Sequence, residues 1–157
     1  MRRAFLQFGL PEPDGKARDR PAAFGVGVHD GQIALARITR EGQAPFLALP
    51  GGAIDAGESE TRALIREFGE EVGLLVHAGE LLVLADQYAV TGDGVAVNNR
   101  CAFYEAIVDG LDSRMKIEDT HELVWLAPGE ALTQLRFEAH AWAVGCWMRA
   151  HNKPQES

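Results

Sequence analysis

Glu67, Glu70 and Glu71 stand at i, i+3 and i+4. On a helix at ~100° per residue, that spacing brings three carboxylates onto one face within about a turn. Alone, the arrangement is unfavourable. Like charges at i and i+4 oppose one another by roughly a few tenths of a kcal/mol, and acids in the last turns meet the negative end of the helix dipole at ~0.3–1 kcal/mol each. A cation removes the conflict, and these hard oxygen donors suit Mg²⁺ or Mn²⁺, with waters and phosphate oxygens completing the coordination. The bland alternative is a solvated helix face on which Arg66 and Glu70 form an ordinary i, i+4 ion pair.

Such a trio works only on a helix held against a core. Over residues 59–72 Thr61, Leu64, Ile65, Phe68 and Val72 fall on one apolar stripe, and Gly73 is placed to end the helix. Upstream, residues 22–28 and 32–38 read as strands around the Asp30-Gly31 turn, and residues 46–49 as a third strand ended by Pro50-Gly51-Gly52. Gly51, Gly52 and Gly57 allow a tight loop with positive φ next to the helix. Downstream, residues 80–85 and 100–108 read as strands separated by the loop 91–94, and residues 122–126 as a last strand. Residues 128–135 and 138–151 read as helices. Residues 11–21, rich in Pro and charge without a period, read as an exposed connector, so that 1–21 form an N-terminal segment and linker of a single domain spanning 1–157. Strands around one central helix, with helices again at the end, give an α+β layered architecture.

The net charge of −8 argues against a sequence-independent grip on nucleic-acid backbone, so no stable nucleic-acid complex is expected. Small phosphate ligands remain accessible, because carboxylates that collect divalent cations reverse the local sign of charge. No run approaches the roughly 18 apolar residues of a membrane span, and the first residues lack the pattern of a secretory signal, so the expected location is cytoplasmic. Cys101 and Cys146 match no metal or redox spacing and are expected to be core thiols. The apolar segment 4–8 either pairs with a second subunit's sheet, giving a homodimer, or covers this chain's own.

From Gly52 to Leu74 the sequence reads Gly, five residues, Glu58, seven residues, Arg66-Glu67, Phe68, Gly69, Glu70-Glu71, Val72, Gly73, Leu74. This resembles the Nudix box at every position, with Phe68 where the family more often has an aliphatic residue. The preceding Leu49-Pro50-Gly51-Gly52 and the later stretch 122–128 are also similar to Nudix hydrolases, more loosely.

The resemblance implies a Nudix fold, an α/β/α sandwich around a mixed sheet, and a metal-dependent hydrolase cleaving the diphosphate linkage of a nucleoside diphosphate derivative. Nucleoside triphosphates, nucleotide sugars, ADP-ribose and dinucleoside polyphosphates all stay open as the small-molecule nucleotide substrate. By similarity Glu67 and Glu71 are the principal metal ligands, Glu70 contributes to the same cluster and the Gly51 carbonyl completes it. Glu58 is a supporting acid and Arg66 orients the carboxylates. A proton acceptor is still needed. Glu122 is the preferred downstream acid, ahead of Glu118, Asp119 and Glu105, and His121 could contact phosphate. Phe24, Tyr88, Phe103 and Tyr104 are the candidates for stacking on a base. The other class of function in play is a non-catalytic nucleotide-binding module on the same fold. The intact acidic set weighs against it, since a silent binder has little need to keep the three glutamates together. An RNA 5′-end pyrophosphohydrolase fits the acidic balance less well.

Overall fold

The computed structural model describes residues 6–152. The chain runs β1 (Leu6–Phe8), β2 (Arg18–His29), β3 (Gln32–Ile38), β4 (Phe46–Ala48), β5 (Gly51–Ala53), α1 (Glu60–Val72), β6 (Leu74–Val90), β7 (Ala96–Leu111), β8 (His121–Leu126), α2 (Pro128–Gln134) and α3 (Glu138–His151). The eight strands join one mixed sheet in the order β1, β6, β7, β2, β3, β4, with β5 paired to β2 and β8 to β3. The β1–β6 and β2–β7 pairs are parallel and the others antiparallel.

Alternating side-chain size along β2 and β3 decides how the layers pack. Phe24, Val26, Ile33 and Leu35 join one core with Phe103 and with Ala139, Ala143 and Val144 of α3. The residues between them, Ala23, Ala34 and Ala36, belong to a second core with Ala63, Leu64, Phe68 and Val72 of α1. A strand points successive side chains to opposite faces, so one face is built large and the other small. The small face lets α1 lie close: a Cβ on Gly25 would stand 2.8 Å from Leu64 Cδ1 and 2.9 Å from Phe68 Cε2. The result is an α/β/α sandwich, with α1 on one side of the sheet and α2 and α3 on the other.

Several sequence expectations shift. β2 begins at Arg18, inside the expected connector, because residues 18–21 pair with Val97 to Arg100 of β7, a partner with no local signal in the sequence. β6 and β7 extend well beyond the expected 80–85 and 100–108, since each supplies the other with a long antiparallel ladder. Ile65 is 43% exposed, not part of the buried stripe; Ala63, Gly69 and Glu71 are buried in its place. Cys101 is buried as expected, whereas Cys146 is only partly covered. Leu6, Gln7 and Phe8 of the apolar N-terminal segment pair with β6 of this same chain; Ala4 and Phe5 lie outside the described residues. Among the described residues no helix is long and apolar enough to cross a membrane.

One buried polar residue ties the sheet to α3 and gives the fold a pH dependence. His140 is 3% exposed and its Nδ1 accepts the Leu49 N–H at 3.0 Å, which places the ring proton on Nε2. The rings of Phe24, Phe103 and Phe137 surround it at centroid distances of 4.5, 5.5 and 5.1 Å. Burial pushes its pKa down to about 3. In the unfolded chain a histidine titrates near ~6.5, so below that pH the unfolded state binds the extra proton. His140 therefore favours the native state fully above pH ~6.5, and that contribution falls by up to ~1.4 kcal/mol per pH unit down to about 3. Urea unfolding at pH 7, 6 and 5 should show this decline, with a shallower one in His140→Gln. Identical slopes in the two proteins would remove His140 as the cause.

Candidate active site

The cleft forms where β2 separates from β3. Their pairing is confined to Val28 and His29, and β5 fills part of the opening by pairing with Ala22 to Phe24. The turn into β5 is anchored by the Gly25 N–H, which donates to the Pro50 carbonyl at 3.1 Å. Gly51 adopts φ 146°, with β2 backbone where a side chain would go. Gly52 does not take the expected positive φ; its lack of a side chain serves space instead, since a Cβ there would stand 3.0 Å from the Glu67 carboxylate.

α1 follows, with the Ser59 side chain accepting from the Arg62 N–H and Gly73 closing the helix in the left-handed region at φ 68°. The C-terminal end of α1 is capped from a distance. Ile117 and Glu118 both donate backbone N–H groups to the Glu70 carbonyl, at 2.9 and 3.1 Å, and Asp112 N–H donates to the Gly73 carbonyl at 2.8 Å. These bonds satisfy carbonyls that a helix end leaves open. They also bring Glu118, in the segment before β8, and His121, the first residue of β8, to the acidic edge of the helix.

Arg66 is the centre of that edge. Its Nε and Nη2 donate to both oxygens of Glu58 at 2.8 and 2.9 Å, and Nη1 donates to Glu67 at 2.9 Å and Glu70 at 3.1 Å. Nη2 also donates to the Ala53 carbonyl at 3.1 Å and lies 3.5 Å from Asp55. The i, i+4 pair with Glu70 is thus one contact among several. The fork on Glu58 holds that carboxyl down at about 2 and raises Arg66 above its ordinary value. Glu67 shifts the other way: its burial raises the pKa, and Arg66 opposes the rise.

Glu71 is turned inward, 5% exposed, with Oε1 accepting the Gly51 N–H at 3.1 Å. Its other oxygen lies 3.4 Å from His121 Nε2, a partner that counts as a cation only when protonated, and burial lowers the His121 pKa. Loss of hydration therefore drives Glu71 well above the usual carboxylate range. The donor set fits the divalent cation that the resemblance implies. Asp55, Glu58, Glu67 and Glu70 share one guanidinium, and among the described residues the buried Glu71 has no permanent cation beside it. All these donors are hard oxygens. Among the described residues no three of them already converge as a finished ligand set, because Arg66 holds Glu67 and Glu70 while Glu71 faces Gly51.

Glu67, Glu71 and Glu118 line a cleft of about 280 Å³ together with Gly51, Gly52 and His121. The same cleft is also lined by the aromatic and apolar residues Phe24, Phe46, Leu49, Val97, Phe137 and His140. Glu58, Arg66, Glu67, Glu70, Glu71 and Gly51 are therefore brought together. Glu122 is not: its side chain is 70% exposed and 3.7 Å from Arg37 on β3, outside the cleft that Glu118 lines. Of the four aromatic candidates only Phe24 lines the cleft. Phe103 is in the core and the Tyr104 hydroxyl donates to Glu60 at 2.9 Å. Sequence reading did not single out Arg20, Arg40, Phe46, Asn99 or Phe137. The Phe46-Leu47-Ala48-Leu49 strand was visible, but which of its faces meets a cleft was not.

A family model described as the NUDIX domain matches residues 19–148. The CTP pyrophosphohydrolase of Escherichia coli (strain K12) is 33% identical over 104 residues, covering 66% of this chain and 72% of that protein. The putative 8-oxo-dGTP diphosphatase 2 of Mycobacterium tuberculosis (strain CDC 1551 / Oshkosh) is 35% identical over 82 residues, covering 52% of this chain and 54% of that one. In three dimensions the chain is similar to a NUDIX hydrolase from Nitrosomonas europaea, with a TM-score of 0.71 at 18% identity over 88% of this chain and 94% of the other. It is also similar to a MutT NUDIX hydrolase from Burkholderia pseudomallei, with a TM-score of 0.62 at 29% identity over 82% and 97%. The family match begins at the start of β2 and runs into α3, taking in every element that builds the cleft: this chain belongs to the Nudix family and is a Nudix-type hydrolase.

Proposed function

We propose that this chain hydrolyses the diphosphate linkage of a nucleoside diphosphate derivative, with Mg²⁺ or Mn²⁺ held by Glu67, Glu70, Glu71 and the Gly51 carbonyl. The observation that carries the reading is the surplus of carboxylates around Arg66 and the buried Glu71, beside a cleft that aromatic rings also line. The cation, when bound, supplies Lewis-acid polarisation of a phosphoryl group and a more acidic water.

The protein's own residues supply position. Arg66 fixes the directions of Glu58, Glu67 and Glu70, and the Gly51 N–H fixes Glu71. Held at about 2, Glu58 stays ionised at working pH and is a poor proton acceptor, so its part is to orient Arg66. The aromatic part of the lining, with Phe24, Phe46 and Phe137, suits a nucleobase. The relatives' names, a CTP pyrophosphohydrolase and a putative 8-oxo-dGTP diphosphatase, agree with a nucleotide substrate. The silent binding module is disfavoured by the cost of keeping so many like charges together without a chemical use.

For the proton acceptor we favour Glu118, which lines the cleft, over Glu122, which stands outside it. Glu118→Gln should lower kcat by roughly 10²-fold or more, the range of general base catalysis, while Glu122→Gln stays within about threefold of the parent. Steady-state kinetics at saturating metal decide between them, and the reverse ranking would return the role to Glu122. The reading as a whole is tested by a panel of nucleoside di- and triphosphates, nucleotide sugars, ADP-ribose and dinucleoside polyphosphates with Mg²⁺ or Mn²⁺. Products are identified by mass. Cleavage between two phosphorus atoms, abolished by chelator, is expected; inertness toward the whole panel would sink it.

A further inference from the structure

α3 presents two faces. Ala139, Ala143 and Val144 pack into the core beside the buried His140. On the opposite side Glu138, Ala141, Trp142, Gly145, Cys146 and Arg149 fall on a second stripe at helical spacing, roughly 17 Å long. All six line a groove of about 560 Å³, together with Phe8 of β1 and Leu132 of α2.

Two features of this stripe have no use inside the chain. Trp142 is 49% exposed, although its ring reaches Phe8 at a centroid distance of 6.0 Å. One turn on, Gly145 interrupts the helix, where glycine is less stable than alanine. A Cβ at Gly145 would meet nothing within 4 Å among the described residues, and the backbone there has no positive φ. Neither packing nor conformation asks for this glycine. An exposed indole next to an empty place in a groove is the pattern of a surface that associates.

The ends of the stripe carry opposite charge. Glu138, in the first turn, is fixed by Gln87 Nε2, which donates to its Oε2 at 2.9 Å. Arg149, in the last turn, has no carboxylate within ion-pair distance among the described residues. Arg136 also borders the groove, with its guanidinium 4.4 Å from the centre of the Phe46 ring. A stripe with this order is complementary to itself. Laid antiparallel on a second copy, about a two-fold axis level with the step from Ala143 to Val144, it brings Glu138 level with the partner's Arg149 and Trp142 level with the partner's Gly145. Each contact then occurs twice, as in any isologous interface. A parallel alignment sets Glu138 beside Glu138 and crowds two indoles at one level.

We propose that this face of α3 is the interface of a homodimer, in which the stripes of two copies pack antiparallel, each Trp142 seats over the partner's Gly145 and each Glu138 pairs with the partner's Arg149. β1 pairs with β6 of its own chain, so the association does not need the N-terminal segment from which the sequence suggested it. His140, and not the stripe, lines the catalytic cleft, so the inference stands apart from the proposed activity.

Sedimentation velocity of the full chain from roughly 1 to 200 µM tests it, the range in which small interfaces associate. The parent should pass from monomer to dimer. Glu138→Arg and Arg149→Glu each place two like-charged pairs in their own dimer and should raise the dissociation constant about tenfold or more. Mixed in equal amounts, the two variants restore both opposite-charge pairs, so the mixture should associate as the parent does. Gly145→Leu, whose Cβ meets nothing in its own chain, should melt no lower than the parent and weaken the dimer by a similar factor. A parent that stays monomeric at about 200 µM overturns the proposal. So does a mixture of the charge variants that associates no better than either alone. Should a charge variant fail to fold, as its melting curve would show, Gly145→Leu and Trp142→Ala carry the test, and dimers of parental strength in both would overturn it.

Discussion

Glu71→Gln should abolish metal-dependent turnover by several orders of magnitude and leave the metal-free protein at least as stable as its parent. Both halves follow from the same geometry. The Gly51 N–H donates to Glu71 Oε1 at 3.1 Å, and a Gln carbonyl oxygen at the same place accepts that bond equally well. What the substitution removes is a negative charge that burial disfavours and that no permanent cation among the described residues offsets. The apo fold therefore loses a destabilising term, while the site loses the charge that a hard dication requires. Melting curves with and without Mg²⁺ separate the effects: the parent should gain stability as Mg²⁺ is added and the variant should not. A variant that keeps turnover within tenfold of the parent, or that responds to Mg²⁺ in the same way, would remove Glu71 from the metal site.

Gly51→Ala should be the most damaging single change in the loop before α1. An alanine Cβ would lie 2.2 Å from the Ala23 carbonyl oxygen and 2.6 Å from Phe24 Cα, and the residue would have to hold φ 146°. Two of the three nearest atoms are backbone of β2, which is paired to β7 on its other side over Arg18 to Gly27 and has little freedom to retreat. Overpacking against backbone places the cost at about 3 kcal/mol or more, roughly 6–12 °C in melting temperature for a chain of this size. If the loop escapes by moving, the Gly51 N–H leaves Glu71 and turnover falls with it. A Gly51→Ala protein that melts within about 2 °C of the parent and turns over normally would show that the loop is not held as described.

The acidic cluster was legible in the sequence because it is local. A helix repeats every 3.6 residues whatever surrounds it, so Glu67, Glu70 and Glu71 share a face as soon as residues 59–72 are helical, and Arg66 reaches Glu70 one turn on. The strands around Asp30-Gly31 and the start of α2 at Pro128 were equally open to local reading. Even within this stretch the burial was not. Ile65 is exposed and Glu71 buried, because the side of α1 that meets the sheet is set by the small face of β2 and β3, and those residues are far away in the chain.

The rest of the cleft is a product of tertiary structure. Arg20 meets Asn99 only because β2 and β7 run parallel in one register, and Glu118 reaches the acids only because the chain after β7 returns to cap the Glu70 carbonyl. Glu122, the acid preferred from position alone, is carried to the exposed pair with Arg37, since one step along a strand reverses the face of the sheet. The sequence by itself determined which groups could grip a cation, because the helical period is short and covers them all. Only the tertiary structure decided what lies across from them, because strand pairing joins residues whose separation along the chain carries no period to read.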